Sequence, residues 1–399
     1  MSSKMEANKL VQNILDRPLV TVIGVSVIVY LVLYYAVVST TVVSMTLLAL
    51  IVAALIYMEK KDYVELITER FVLHKKTAMA LAVLFIIVFP YFARGSYLIH
   101  IGILICLYST ISLGLNFQMG STDMVNFAPA AFFGVGAYTS AMLSLRLGVS
   151  PWLGLVAAAL MGIVIGYIVG APTLKTKGYY LSLVTIAMQQ VFFLMLYNTR
   201  AVGGPDGLPG IPSFMIGNYS LRGPLMVFGT RIPYQAHYFY LAAVIMLLAA
   251  FIATRLYNSR NGLTWNTIAG DDIVATCQGI NLSKNKLLAF CFGGAFAAVA
   301  GVVYAHYMTY IGPDDFTFLR SLIIISMVIL GGMDNVVGVI IGATILTLVD
   351  QKMMDITDYR MLAYGLVIIV MLVLRPEGLL PKRIRTYGHL LTINKTSGK

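Results

Sequence analysis

The sequence predicts an all-α, polytopic membrane protein, and three observations carry that prediction. Hydrophobic residues fill 59% of the 399 positions and charged residues only 11%, with mean hydropathy +0.84, a balance foreign to soluble globular chains. Apolar runs of about twenty residues, long enough to cross a bilayer, recur along the chain. The cationic excess, net +11, gathers in alternate connections between those runs, as the positive-inside rule requires.

The first expected span is Val20 to Val38. Lys4, Lys9 and Arg17 precede it without a small-residue cleavage site, so it reads as a retained anchor and not a signal peptide. Thr41 to Met58 follows, then a connection from Glu59 to Lys76 with charges of both signs, which reads as a solvated or interfacial helix. Spans are then expected at Thr77–Ala93 and Tyr97–Phe117, and a polar step at Gln118–Asn126 interrupts the pattern before Phe127–Leu145. Trp152–Gly170 and Tyr180–Tyr197 come next, followed by the longest non-apolar connection, Asn198 to Ala236, rich in Gly and Pro.

His237–Tyr257 and Lys286–Tyr307 flank the polar stretch 258–285. Leu319–Gly332 and Val336–Val349 are about fourteen residues each, which suits either two short spans or a re-entrant pair buried in protein. Met361–Leu374 is the last span. The expectation is therefore about 10 transmembrane helices, or 12 if the pair 319–349 crosses fully. A two-span extension and charged linker (1–76), a membrane-embedded core (77–385) and a basic tail (386–399) are the expected divisions of the chain.

Orientation follows from counting. Of 28 lysines and arginines, 20 fall in 1–18, 59–76, 171–179, 255–286 and 375–399, which all lie on one side. That side is expected to be cytoplasmic, with both termini on it.

The chain's chemistry is sparse. Cys106, Cys277 and Cys291 have no paired spacing, and five scattered histidines form no HExxH pair. No metal site is expected. His100 and His306, at membrane depth, are expected to be packed or hydrogen-bonded. Neither a GxSxG elbow nor a GxxxxGK[ST] phosphate loop occurs, so any ATP must be bound by another subunit. Asp123 is expected at the interface between two spans, and Asp314, Asp315, Asp350, Asp355 and Asp358 in solvated outer loops. Gly162-Gly166-Gly170 and Gly338-Gly342 have the spacing that lets helices approach closely.

The most informative stretch is Asn261 to Phe290. It reads as a small helix, a glycine break and a second helix. Asp271 and Asp272 suit a helix N-terminus, Gly279 a left-handed C-cap, and Asn281 or Ser283 the cap of the next helix. A helix–Gly–helix knob of this kind can push on a soluble partner, although an ordinary loop between spans would carry the same local signals.

Asp271-Asp272, Ala275, Gly279-Ile280-Asn281 and Lys286-Leu287-Leu288-Ala289-Phe290 resemble the coupling loop of ABC importer permeases, in its branched-chain amino acid form. The family usually carries Arg and Glu where this chain has Ala269 and Gly270, and Glu where it has Thr276. Asn126 to Tyr138, ending Gly134-Val135-Gly136-Ala137-Tyr138, is similar to a second family segment, with Ala128-Pro129 in place of the family's Gly-His. Leu174–Thr185, Gly203–Pro212, Leu330–Gly338 and Leu374–Leu380 extend the resemblance over about residues 100–382, and the spans before 97 resemble the larger, M-type subunit.

The resemblance implies a non-enzymatic permease subunit that pairs with a second, homologous permease. Two cytoplasmic ATPase subunits binding ATP-Mg and an extracytoplasmic substrate-binding protein complete the assembly, with no cofactor in this chain and no nucleic acid. It implies the cytoplasmic membrane of a prokaryote. Asp271, Asp272, Ala275, Gly279, Asn281 and Lys286 would form the ATPase-coupling loop. Asn126, Pro129, Gly134 and Gly136 would lie on the substrate path, with backbone groups left unpaired by the proline break. Gly204, Pro205, Asp206 and Gly207 would dock the binding protein. The substrate would be a branched-chain or other hydrophobic amino acid, with urea or short amides as the alternative. A stand-alone channel or secondary carrier is the alternative class.

Overall fold

The computed structural model describes residues 74–93, 95–173, 178–217, 219–223, 225–227 and 230–353, with scattered positions in 23–50 and 362–380. The expected spans Val20–Val38, Thr41–Met58 and Met361–Leu374, most of the linker 59–76 and the basic tail therefore lie outside the described residues, apart from those scattered positions. The chain forms two compact units, one of residues 1–99 with 348–356 and one of residues 100–347 with 357–399.

Eleven helices are described in succession: α1 (Lys75–Phe92), α2 (Ser96–Thr122), α3 (Pro129–Leu147), α4 (Pro151–Thr173), α5 (Gly178–Asn198), α6 (Gln235–Tyr257), α7 (Arg260–Gly270), α8 (Asp272–Cys277), α9 (Leu282–Met308), α10 (Phe318–Gly331) and α11 (Val336–Lys352). Outside the polar stretch 258–285 they match the apolar runs within about five residues. Five of them, α2, α4, α5 from Tyr180, α6 and α9, are long and apolar enough to cross a membrane. The protein is a multi-pass membrane protein.

In the smaller unit the Tyr97 hydroxyl donates to the Gln351 carbonyl at 3.1 Å and Lys352 Nζ lies 6.0 Å from the Tyr97 ring centre. Asp350, expected to be solvated, is buried at the end of α11. The α11 run continues past the apolar stretch that suggested an outer loop, and carries the aspartate inside.

The larger unit is built on α3, α4 and α9. About two thirds of the residues of α3 and α9 are buried, and α4 turns Gly162, Gly166 and Gly170 inward. A Cβ at Gly162 would sit 2.6 Å from the Gly294 carbonyl oxygen, and one at Gly166 3.2 Å from Cys291 Cα. The small-residue stripe is thus a backbone-to-backbone seam, which is how apolar helices gain contact in lipid.

Helices α10 and α11 have 14 and 17 residues, about 21 and 26 Å at 1.5 Å per residue. At their joint, Met333-Asp334-Asn335, Asp334 is buried while Met333 stays exposed. The Asp334 N–H donates to Asn116 Oδ1 at 2.7 Å, and Ser121 Oγ donates to Asp334 Oδ1 at 2.8 Å. Backbone N–H groups of Leu379 and Leu380 donate to the carbonyls of Leu330 and Gly331, which occupies acceptors left over at the end of α10.

The connection 198–236 is more ordered than its Gly/Pro content suggests. Within it, β2 (Met215–Ile216) pairs antiparallel with β3 (Tyr219–Ser220), and β4 (Leu225–Val227) with β5 (Thr230–Ile232). β1 (Leu208–Pro209) pairs with β6 (Tyr310–Ile311), just beyond α9.

Candidate functional site

The polar stretch 258–285 folds into the knob its caps predict, with one more break than expected. Ser259 caps α7, which ends at Asp271 in extended backbone (φ −163°, ψ 118°). Asp271 then caps α8: its Oδ1 accepts from Ile273 N at 2.7 Å and from Val274 N at 3.0 Å. Helix α8 closes at Gly279, φ +80°, where Gly279 N donates to Thr276 O and Ile280 N to Ala275 O. That pair of bonds is a Schellman motif, and it needs a residue that tolerates the left-handed region. Asn281, not Ser283, caps α9, accepting from Lys284 N at 3.0 Å.

Of the remaining residues expected here, Ala275 is fully buried, and Asp272 forms an ion pair with Lys286 at 2.7 Å. The six residues singled out from the sequence are therefore the ones that shape the knob. Its seat is Trp265, fully buried, whose Nε1 donates to the Asn285 carbonyl at 3.1 Å and whose ring lies 5.7 Å from Phe117. The surface left outside carries two large apolar side chains, Ile273 at 75% exposed and Val274 at 50%, flanked by the exposed polar residues Asp271, Asp272, Thr276 and Gln278. Sequence reasoning passed over both. Their signal was two β-branched residues directly after an acidic pair, beside an inward alanine.

The break between α2 and α3 is also present, but its backbone donors are occupied. Pro129 stands at the first position of α3, where no N–H is needed. Ala130 N donates to Ser321 Oγ at 3.1 Å, Ala131 N to Gln189 Oε1 at 2.7 Å and Phe127 N to Thr185 Oγ1 at 3.0 Å. The expectation of unpaired groups at the break is corrected here, because side chains of α5 and α10 satisfy them. Gln189 also donates through Nε2 to the Phe316 carbonyl at 2.7 Å.

Asn126 is buried in the same cluster. Its Nδ2 donates to Gln118 Oε1 at 2.7 Å and its Oδ1 accepts from Ala128 N at 2.8 Å. A crevice between Gln118, Asn126, Pro129, Phe132 and Gly293 has no room for a water molecule. Gly134 faces the rings of Phe192 and Phe316, and Gly136 abuts the Ala298 backbone. Both are taken up by packing among the described helices.

On the opposite face, Gly204 and Gly207 are buried while Pro205 and Asp206 are exposed in a tight turn whose glycines have positive φ. The turn is anchored through its neighbours. Ile211 N donates to the Thr309 carbonyl, and the Pro212 carbonyl meets His306 Nδ1 at 2.5 Å. Since a carbonyl only accepts, Nδ1 carries the proton, and Nε2 accepts from Ser140 Oγ at 2.7 Å. His100 Nδ1 lies 2.7 Å from the Tyr307 hydroxyl. Both histidines are hydrogen-bonded, as expected at this depth.

Asp123 is exposed at the end of α2. Asp315, expected in solvent, is instead half-buried, accepting from the Tyr304 hydroxyl and from Gly312 N, each at 3.0 Å. The turn Pro313–Phe316 folds back onto its own amide and draws the carboxylate in. Among the described residues no group of three His, Cys, Asp or Glu is placed to hold a metal ion.

Residues 97–374 match the family described as branched-chain amino acid transport system, permease component. The chain is 31% identical over 302 residues to the high-affinity branched-chain amino acid transport system permease protein LivM of Salmonella typhimurium, covering 72% of this chain and 71% of that one. It is 25% identical over 337 residues to a probable branched-chain amino acid transport permease protein LivM of Methanocaldococcus jannaschii (69% and 91% covered). It is 28% identical over 289 residues to the Salmonella typhimurium permease protein LivH (68% and 91%). No solved structure matches the chain. With the knob, the broken helix and a family match across most of its length, the chain belongs to the branched-chain amino acid transport permease family.

Proposed function

We propose that the chain is the larger permease subunit of an ATP-driven importer of branched-chain or other hydrophobic amino acids, in the cytoplasmic membrane of a prokaryote. The observation that carries this is the knob: a capped six-residue helix that presents Ile273 and Val274 outward. Its side of the membrane holds the arginine- and lysine-rich segments, which supports a cytoplasmic position and a cytoplasmic N- and C-terminus.

In this reading the apolar tip sits in a groove of one of two ATPase subunits, which bind ATP-Mg. ATP binding moves the knob, and the permease rocks against a second, homologous permease. Such coupling requires the ATPases to hold the knob differently in their two states, because only differential affinity shifts a conformational equilibrium. The substrate path in this reading lies at the seam with the second permease. Pro205 and Asp206 are the exposed residues offered to an extracytoplasmic binding protein. No cofactor is assigned to the chain itself.

The test is a mild-detergent purification of the tagged chain from its native membranes, with mass spectrometry of what accompanies it. The expected result is an ATPase subunit and a second permease, with Ile273→Asp losing the ATPase while retaining the permease. Reconstituted with the binding protein, the complex should take up leucine on ATP hydrolysis. A chain that purifies alone and transports down a gradient would overturn the proposal, and uptake of urea without leucine would replace the substrate.

A further inference from the structure

Helix α5 carries two adjacent glutamines with opposite fates. Gln189 is buried and ties α5 to α3 and to the turn before α10 through Ala131 N, Phe316 O and Ser321. Gln190 follows about 100° further round the helix. It is exposed and makes no hydrogen bond to the described residues. The span runs from Tyr180 to Asn198, so Gln190 stands beside its midpoint, over 10 Å from either end at about 1.5 Å per residue.

An amide at that depth is costly against lipid tails, which offer no hydrogen-bond partner. The other lipid-accessible faces obey that constraint. α4 exposes Leu160, Val164 and Ile168, and α6 exposes Val244, Leu248 and Phe251, with no polar side chain exposed at mid-span on either. Along α5, Leu183, Ala187, Gln190 and Leu194 are exposed at successive positions of one helix face, with Val184, Val191 and Met195 exposed beside them. One amide among aliphatic side chains matches a neutral amino acid with an apolar side chain. The amide N–H can donate to the carboxylate, the amide oxygen can accept from the ammonium, and Leu183 and Leu194 can meet the side chain.

We propose that this face of α5 lines the translocation path and that Gln190 hydrogen-bonds the charged end of the amino acid as it passes. The inference rests on the importer reading above and adds the surface and the residue that meet the substrate. Gln189 acts behind it as a positioning residue, fixing α5 to the broken start of α3.

The experiment uses the whole importer in proteoliposomes, with Cys106, Cys277 and Cys291 replaced by serine. Gln190→Cys is compared with Val164→Cys for reaction with a charged, membrane-impermeant thiol reagent. The thiol at position 190 is expected to react at least tenfold faster, at a rate that changes on ATP binding, and its modification should abolish leucine uptake. Gln190→Leu should lower uptake about tenfold while the binding protein still stimulates ATP hydrolysis.

A thiol at 190 that stays inert in resting, ATP-bound and vanadate-trapped states, in a parent complex that takes up leucine, overturns the inference and marks a dry subunit seam. So does modification that leaves uptake unchanged. A parent complex that fails to take up leucine strikes the importer reading alone, and the rate contrast between positions 190 and 164 still decides whether α5 faces water.

Discussion

Asp271 accepts hydrogen bonds from two backbone N–H groups of α8, and a six-residue helix has little else to hold its first turn. Asp271→Ala is expected to cost about 1 kcal/mol, the usual value of such a cap. The Asp272–Lys286 pair is partly exposed, at 49% and 13%, so Lys286→Ala should cost less, within about 1 kcal/mol. Gly279→Val places a β-branched residue at φ +80°, which costs roughly 1–2 kcal/mol in the left-handed region. It is expected to uncouple ATP hydrolysis from uptake while the protein still inserts, and normal coupled transport by this variant would remove the knob from the mechanism. Asp271 and Gly279 were legible in the sequence because their work is local, on backbone within about five positions. Ile273 and Val274 were not, since their exposure depends on Trp265 being seated against Phe117, 148 positions away in the chain.

Among elements, the seam of α3, α4 and α9 gives a graded prediction. At Gly166 an added methyl meets Cys291 Cα at 3.2 Å, a gap that a small shift relieves. At Gly162 it meets a carbonyl oxygen of the facing helix at 2.6 Å. Gly162→Ala should therefore lower the melting temperature in detergent more than Gly166→Ala, with a cost of about 1–3 kcal/mol for the former. The broken start of α3 makes a second. Gln189→Leu removes the acceptor shared by Ala131 N and the Ser321 hydroxyl and the donor to the Phe316 carbonyl. Ala131 N keeps the Ala128 carbonyl, so the Phe316 carbonyl is the backbone group that loses its partner, at about 1–3 kcal/mol. A variant as stable as the parent would mean that the break is held elsewhere. Hydropathy located these spans within a few residues, and Pro129 announced the break. What the sequence could not announce was who satisfies it: Gln189 and Ser321 lie 58 and 191 positions from their partners, and nothing local to either encodes the meeting.

At the scale of the molecule, α9 is the element shared by both faces. Its first residue follows the Asn281 cap of the knob, and its last turn carries His306, beyond which β6 pairs with β1 of the long connection. Twenty-seven residues give it a length of about 40 Å. The alternation of apolar and basic segments is what predicts that these two ends lie on opposite sides of the membrane. The order of the outer connection was hidden by its Gly and Pro content, because it comes from contacts with α9 and not from its own propensity. Phe214 is fully buried, 5.1 Å from the His306 ring, and the Tyr238 hydroxyl donates to the His306 carbonyl at 3.0 Å. His306→Ala deletes both ring hydrogen bonds, leaving the Pro212 carbonyl and the Ser140 hydroxyl without their partner. Hydrogen exchange should then quicken across residues 208–216, with the caps at Asp271 and Asn281 as protected as before. Faster exchange at both ends would show that α9 carries strain from one face to the other, whereas none at either would mean that the strand pairing of Leu208–Pro209 with Tyr310–Ile311 holds the loop without the histidine.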